Sequence, residues 1–164
     1  MGVGAAPGPS TTTPVVIAPF ALTVPWGDGG AIDVTATCDG GNLSPLLTWS
    51  PPPAGTVELA LVVSDDDQAG YVHWAVAGIA PSGGEKGQGA TFTGAVEGTN
   101  DAGTVGWTGP CPPAGAAHTY RFSLYALTQQ AELPEGFTGA DLRAVAVPAA
   151  AGLAEATGTY TRAG

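Results

Sequence analysis

Two histidines, His73 and His118, and an acidic triplet, Asp65-Asp66-Asp67, are the groups in this chain with the most chemistry to offer. An imidazole titrates near neutrality and donates or accepts a hydrogen bond at either ring nitrogen. A carboxylate beside it orients the ring or receives an ammonium group, and a phenol donates to an oxyanion. Tyr120 supplies that phenol two residues beyond His118, and so on the same strand face. The triplet follows the apolar run Leu59 to Val63, while His73 opens another apolar run beside Trp74. Strand ends are where side chains converge, which suits one small polar cavity formed from the three segments. Each group also has a plain structural reading. Acidic triplets at strand ends are usually solvated turns, a histidine beside tryptophan is usually a satisfied core residue, and a strand tyrosine is usually core.

Other chemistries lack their patterns. Two histidines and an aspartate make up a facial metal triad in type, but no Glu-x-x-His or His-x-His spacing supports one, so no metal is expected. No Gly-x-Ser-x-Gly elbow, phosphate-binding P-loop or dinucleotide fingerprint is present, so neither a serine hydrolase nor a cofactor enzyme is indicated. Cys38 and Cys111 are too far apart for a metal knuckle or a redox pair. Spacing alone leaves them as two buried thiols or one long-range disulfide.

The elements that must position these groups are mostly strands. The 164 residues hold 26 glycines and 15 prolines, punctuation that favours short strands and many turns over long helices. Residues 32–36 alternate and are expected to form a half-buried strand, ended by the turn Asp39-Gly40-Gly41-Asn42. Residues 56–64 and 72–80 are apolar on both faces and suit central strands of a covered sheet. Residues 83–115 read as a long loop with one short strand at 90–96. Residues 118–127 carry the clearest alternation, with His118, Tyr120, Phe122 and Leu124 on one face. Helical spacing appears only at 139–147, through Leu142, Val145 and Ala146, with a second short helix expected at 148–157 and a closing strand at 157–162. The sum is a two-sheet antiparallel β-sandwich with short C-terminal helices.

Four Lys+Arg against 14 Asp+Glu give a formal net charge of −10, which disfavours nucleic acid and anionic membrane surfaces as partners. At 44% hydrophobic residues the chain can fill a core, and no apolar run is long enough to span a bilayer. Residues 1–13 are small, polar and proline-bearing and read as a flexible tether, leaving 14–164 as a single domain. Such a tether is of the kind left when a signal sequence or lipid anchor is removed. An extracytoplasmic location is therefore expected, with a cytoplasmic one as the alternative.

Four blocks, in order, resemble the phosphatidylethanolamine-binding protein family in its bacterial Raf-kinase-inhibitor-like branch. They are Cys38-Asp39-Gly40-Gly41-Asn42-Leu43-Ser44-Pro45 running to Trp49, and Asp65-Asp66-Asp67 followed by His73-Trp74. Glu97-Gly98-Thr99-Asn100-Asp101 with Gly103 is the third, and Gly109-Pro110-Cys111-Pro112-Pro113-Ala114-Gly115 leading to His118-Thr119-Tyr120 is the fourth. The resemblance implies a sandwich with a pocket for small anions: phosphate, phosphorylethanolamine or a carboxylate. Carried over by position, it assigns the pocket to Asp65, His73, Cys111, Pro112, His118 and Tyr120, with Asp67 a second carboxylate nearby and Trp74 and Pro112 as walls. It places Cys38 and Cys111 in facing loops, where a disulfide is expected. Asp66 stands where the family has proline, and Gln68-Ala69-Gly70 shortens the following loop, so that rim reads as more acidic. The function implied is non-catalytic binding of an anion or phospholipid headgroup, strengthening below about pH 6.5 as the histidines protonate. A hydrolase or a protease inhibitor using the same pocket is the alternative. A protein partner and a homodimer are both left open.

Overall fold

The computed structural model describes residues 19–164 together with Gly2, Gly4 and Gly8; the tether expected over residues 1–13 otherwise lies outside the described residues. The strands in chain order are β1 (Leu22–Thr23), β2 (Gly30–Ala31), β3 (Leu47–Trp49), β4 (Glu58–Asp65), β5 (Val72–Ile79), β6 (Gly84–Lys86), β7 (Val96–Glu97) and β8 (Ala117–Leu127). Helix α1 (Gly139–Ala149) and strand β9 (Ala150–Thr161) complete the chain. A three-stranded sheet, β1-β3-β6, faces a six-stranded sheet ordered β2-β9-β8-β4-β5-β7. All pairings are antiparallel except β2 with β9, which is parallel.

The central strands are apolar on both faces because both faces are covered. Leu59, Leu61 and Val63 of β4, with Trp74 and Val76 of β5, pack against Leu22 and Leu47 from the small sheet and Val24 just after β1. The alternate residues Ala60, Val62, Ala75 and Ala77 lie under Leu142, Ala146 and Ala149 of α1 and under Phe137. The period of two thus feeds two separate apolar layers. Helix α1 begins at a reciprocal cap, in which the Thr138 hydroxyl accepts the Asp141 N–H and the Asp141 carboxylate accepts the Thr138 N–H.

The second helix expected at 148–157 does not form. Pro148 closes the last turn of α1, and Ala150–Thr161 extends at once as β9. It pairs with β8 from Ala117↔Thr161 to Leu127↔Ala150, satisfying the backbone groups of β8 that β4 leaves free. Its alanines help, because Ala154 and Ala156 fit beneath the larger core side chains. The strand expected at 32–36 is instead a 3-10 turn, Val34–Ala36, because the Asp33 carboxylate accepts both the N–H and the hydroxyl of Thr35 and curls the chain. The strand expected at 90–96 shrinks to β7, and the stretch expected to be loop contributes β6.

Candidate functional site

Three neighbouring strands of the large sheet end together. Asp65 is the last residue of β4 and sits opposite Tyr120 of β8, and His73 is the second residue of β5, on the other side of β4. This register brings Asp65, His73, His118 and Tyr120 to one sheet end. The Asp65 Oδ2 lies 2.7 Å from His118 Nδ1, and its Oδ1 accepts the Asp67 N–H at 2.8 Å. The Tyr120 ring meets the His73 ring edge-on at 5.2 Å, and the Tyr71 ring packs against the same imidazole at 4.8 Å.

Loops raise the far wall. Cys38 and Cys111 form a disulfide that ties the turn after the 3-10 segment to the loop before β8. The Cys38 N–H donates to the Pro110 carbonyl, and the Gly109 N–H donates to Asn42 Oδ1 at 2.7 Å. Asn42 holds φ at 53°, a left-handed conformation that asparagine tolerates. Gly109 has to be glycine, since a Cβ there would drive into the Ala36 carbonyl and the Asn42 carboxamide. Between sheet end and loops lies an open cleft of about 510 Å³, lined by Asp65, His73 and Tyr120 and closed by Cys111 and Pro112. Tyr71, Gln68, Asn42 and Thr108 also line it.

The residues picked out from the sequence therefore divide. Asp65, His73, Cys111, Pro112 and Tyr120 line the cleft. His118 stands behind Asp65 as its hydrogen-bond partner. Asp67 turns its carboxylate to the Thr119 N–H, at 2.7 Å, and is not among the lining residues. Trp74 does not wall the cleft. It follows His73 by one residue, so it points through the sheet into the core beside Phe92 and Trp107. Asp66 adds no free charge to the rim, because both its oxygens are held by Arg121, the closer at 2.9 Å. Tyr71 was legible two residues before His73, on the same face by the strand period. Asn42 and Thr108 carried no comparable local signal, since loop packing alone brings them to the site.

The electrostatics are set by burial. His73 is 5% exposed, and its Nδ1 lies 2.7 Å from the Thr108 carbonyl. Burial holds its pKa below the usual imidazole value, against the opposing pull of the Thr108 carbonyl, Asp65 and Asp101. His73 therefore stays neutral where the sequence alone suggested that both histidines charge together. Burial, with Asp65 and Asp67 nearby, pushes the Tyr120 phenol well above its ordinary range, so it remains an O–H donor. Burial, with Asp101 nearby, raises Tyr71 as well. Among the described residues no lysine or arginine lines the cleft, and no three of His, Cys, Asp and Glu group closely enough to hold a metal ion.

Comparison with known proteins places this arrangement. A Mycobacterium tuberculosis protein provisionally named as a lipoprotein, LppC, is 46% identical over 154 residues, covering 91% of this chain and 76% of that protein. The crystal structure of YbcL from Escherichia coli, described as a new member of the mammalian PEBP family, superposes with a TM-score of 0.80 at 31% identity, covering 88% of this chain and 99% of that one. A phosphatidylethanolamine-binding protein homologue from Chlamydia trachomatis gives a TM-score of 0.79 at 33% identity, covering 87% and 97%. The family model described as phosphatidylethanolamine-binding protein matches residues 24–161, which take in the large sheet, β3 and β6 of the small one, the helix and every cleft residue. This chain belongs to the phosphatidylethanolamine-binding protein family.

Proposed function

We propose that the cleft binds a small oxyanion, such as phosphate, the phosphoryl group of phosphorylethanolamine or a carboxylate, and releases it unchanged. One observation carries this reading. His73 Nε2 is the only fully buried side-chain polar atom without a hydrogen-bond partner among the described residues, and it belongs to a cleft-lining side chain. Buried polar atoms are nearly always paired, and an orphan in a cleft is what a ligand would satisfy. Phenols from Tyr71 and Tyr120 and the Gln68 amide supply donors around it. The Asp65–His118 pair also has the geometry of an orienting dyad for acid–base chemistry, which favours the hydrolase reading. Against it, both cysteines are locked in the disulfide and no serine lines the cleft. We place the protein outside the cytoplasm, since a relative is named as a lipoprotein and a disulfide persists in oxidising surroundings. Among the described residues no helix is long and apolar enough to cross a membrane.

The test is titration of phosphate and phosphorylethanolamine into the wild type and His73→Ala, following both histidine ring resonances by NMR. Both rings should respond in the wild type and binding should fall at least tenfold in the variant. Silence of both rings at tens of millimolar ligand would sink the reading. Turnover of ester substrates that disappears in His118→Ala would replace it with the hydrolase.

A further inference from the structure

We propose that the cleft selects oxyanions that still carry a proton, binding hydrogen phosphate or a singly protonated phosphomonoester and rejecting sulfate. The inference rests on the oxyanion reading above and says which oxyanions qualify.

A nitrogen 2.7 Å from a carbonyl oxygen has to carry the hydrogen between them, so His73 Nδ1 is protonated and donates to the Thr108 carbonyl. A neutral imidazole has only that one N–H. Its Nε2 is then a bare lone pair, and this is the buried atom without a partner. The second group is the Asp65 carboxylate, which accepts only. It takes one bond from His118 and one from the Asp67 N–H, and its remaining lone pairs belong to a cleft-lining side chain. The site thus offers an approaching ligand two acceptors among its donors.

The surroundings do not reverse this. Asp101, in the loop after β7, and Asp65, at the end of β4, act on His73 as negative charges, and His118 on β8 opposes its protonation. Tyr71 and Tyr120 flank the ring and stay neutral. With no lysine or arginine lining the cleft, a fully deprotonated dianion meets no positive charge there to offset its contact with a lone pair and a carboxylate. A proton on the ligand reverses the sign of one of these contacts. A P–O–H group donates to Nε2 or to Asp65, while the unprotonated oxygens accept from the phenols and the Gln68 amide. With a second pKa of about 6, a phosphomonoester keeps such a proton in a minority of molecules at neutral pH and in most of them below pH 6. Sulfate does not.

The experiment is isothermal titration of the intact, oxidised protein with phosphate and with sulfate at pH 6.5 and matched ionic strength. Phosphate should bind at least tenfold tighter than sulfate. Sulfate binding within threefold of phosphate overturns the inference while leaving the oxyanion site standing. Failure of both ions to bind overturns the site and the inference together. In Asp65→Asn, where an amide donor replaces one acceptor, the preference should fall below threefold. Retention of the tenfold preference in that variant overturns the assignment. Should Asp65→Asn fail to fold, shown by loss of its cooperative melt, His73→Phe removes the other acceptor without supplying a new one, and the same collapse is required of it.

Discussion

Replacing both cysteines with serine, Cys38→Ser with Cys111→Ser, tests how far the cleft wall depends on its covalent tie. The bridge spans 73 residues of sequence, nearly half the chain. In the chain-entropy model, removing a crosslink returns about 2.1 + 1.5R ln n cal/mol/K to the unfolded chain, which for this separation is about 4.4 kcal/mol at 25 °C. The folded state keeps part of its wall, because the Cys38 N–H to Pro110 and Gly109 N–H to Asn42 bonds join the same segments without the sulfurs. The native geometry should therefore survive and the loss should come mainly from the unfolded state. We expect a loss of about 3–4 kcal/mol, or on the order of 10 °C in Tm for a chain of this size. Urea titration adds a second readout: an uncrosslinked unfolded chain exposes more surface, so the m-value should rise in the variant. Thiol titration of the denatured, unreduced wild type should find no reactive cysteine. Two reactive thiols, or a stability loss below about 1 kcal/mol with an unchanged m-value, would refute the reasoning.

Three other perturbations probe the frame around the site. Leu142→Ala removes a fully buried side chain from the helix face that covers the large sheet; it should cost about 2–5 kcal/mol by urea unfolding and leave ligand affinity unchanged. Gly109→Ala places a methyl group against the Ala36 carbonyl and Asn42, so phosphate binding should drop at least tenfold by titration even where the melt moves by only a few degrees. Lys86 is 3% exposed, hydrogen-bonded to Ser44 Oγ and two backbone carbonyls, and lies 5.0 Å from the Trp74 ring. Burial lowers its pKa to about 8. The unfolded chain then holds this proton more tightly, so Lys86 penalises folding in full below pH 8 and the penalty lifts as pH rises toward the unfolded value. Relative to Lys86→Met, the wild type should gain stability between pH 8 and 9.5 in thermal melts, and a flat difference across that window would refute the assignment.

Local pattern determined the strands that hold the site. Alternation in residues 118–127 and the doubly apolar runs at 56–64 and 72–80 are written residue by residue, because a pleat needs only a period of two and a covered sheet needs only apolar side chains. The pairing of Asp65 with His118 and the closeness of Tyr120 follow once those strands are neighbours. That Trp74 must leave the cleft when His73 enters it was equally implicit in the period. Pairing and capping settled the rest. Residues 157–161 read as strand and are strand, but residues 150–156, rich in alanine and expected as helix, become strand because β8 presents a free edge and the core there has room only for small side chains. Residues 32–36 alternate like a strand, yet a single Asp33 carboxylate bonded to Thr35 turns 34–36 into a 3-10 segment that carries Cys38 to its partner. The protonation of His73 was the least legible of all. Nothing in the sequence puts the Thr108 carbonyl 2.7 Å from its Nδ1, 35 residues along the chain, and that contact together with burial decides which nitrogen carries the proton and which is left for a ligand.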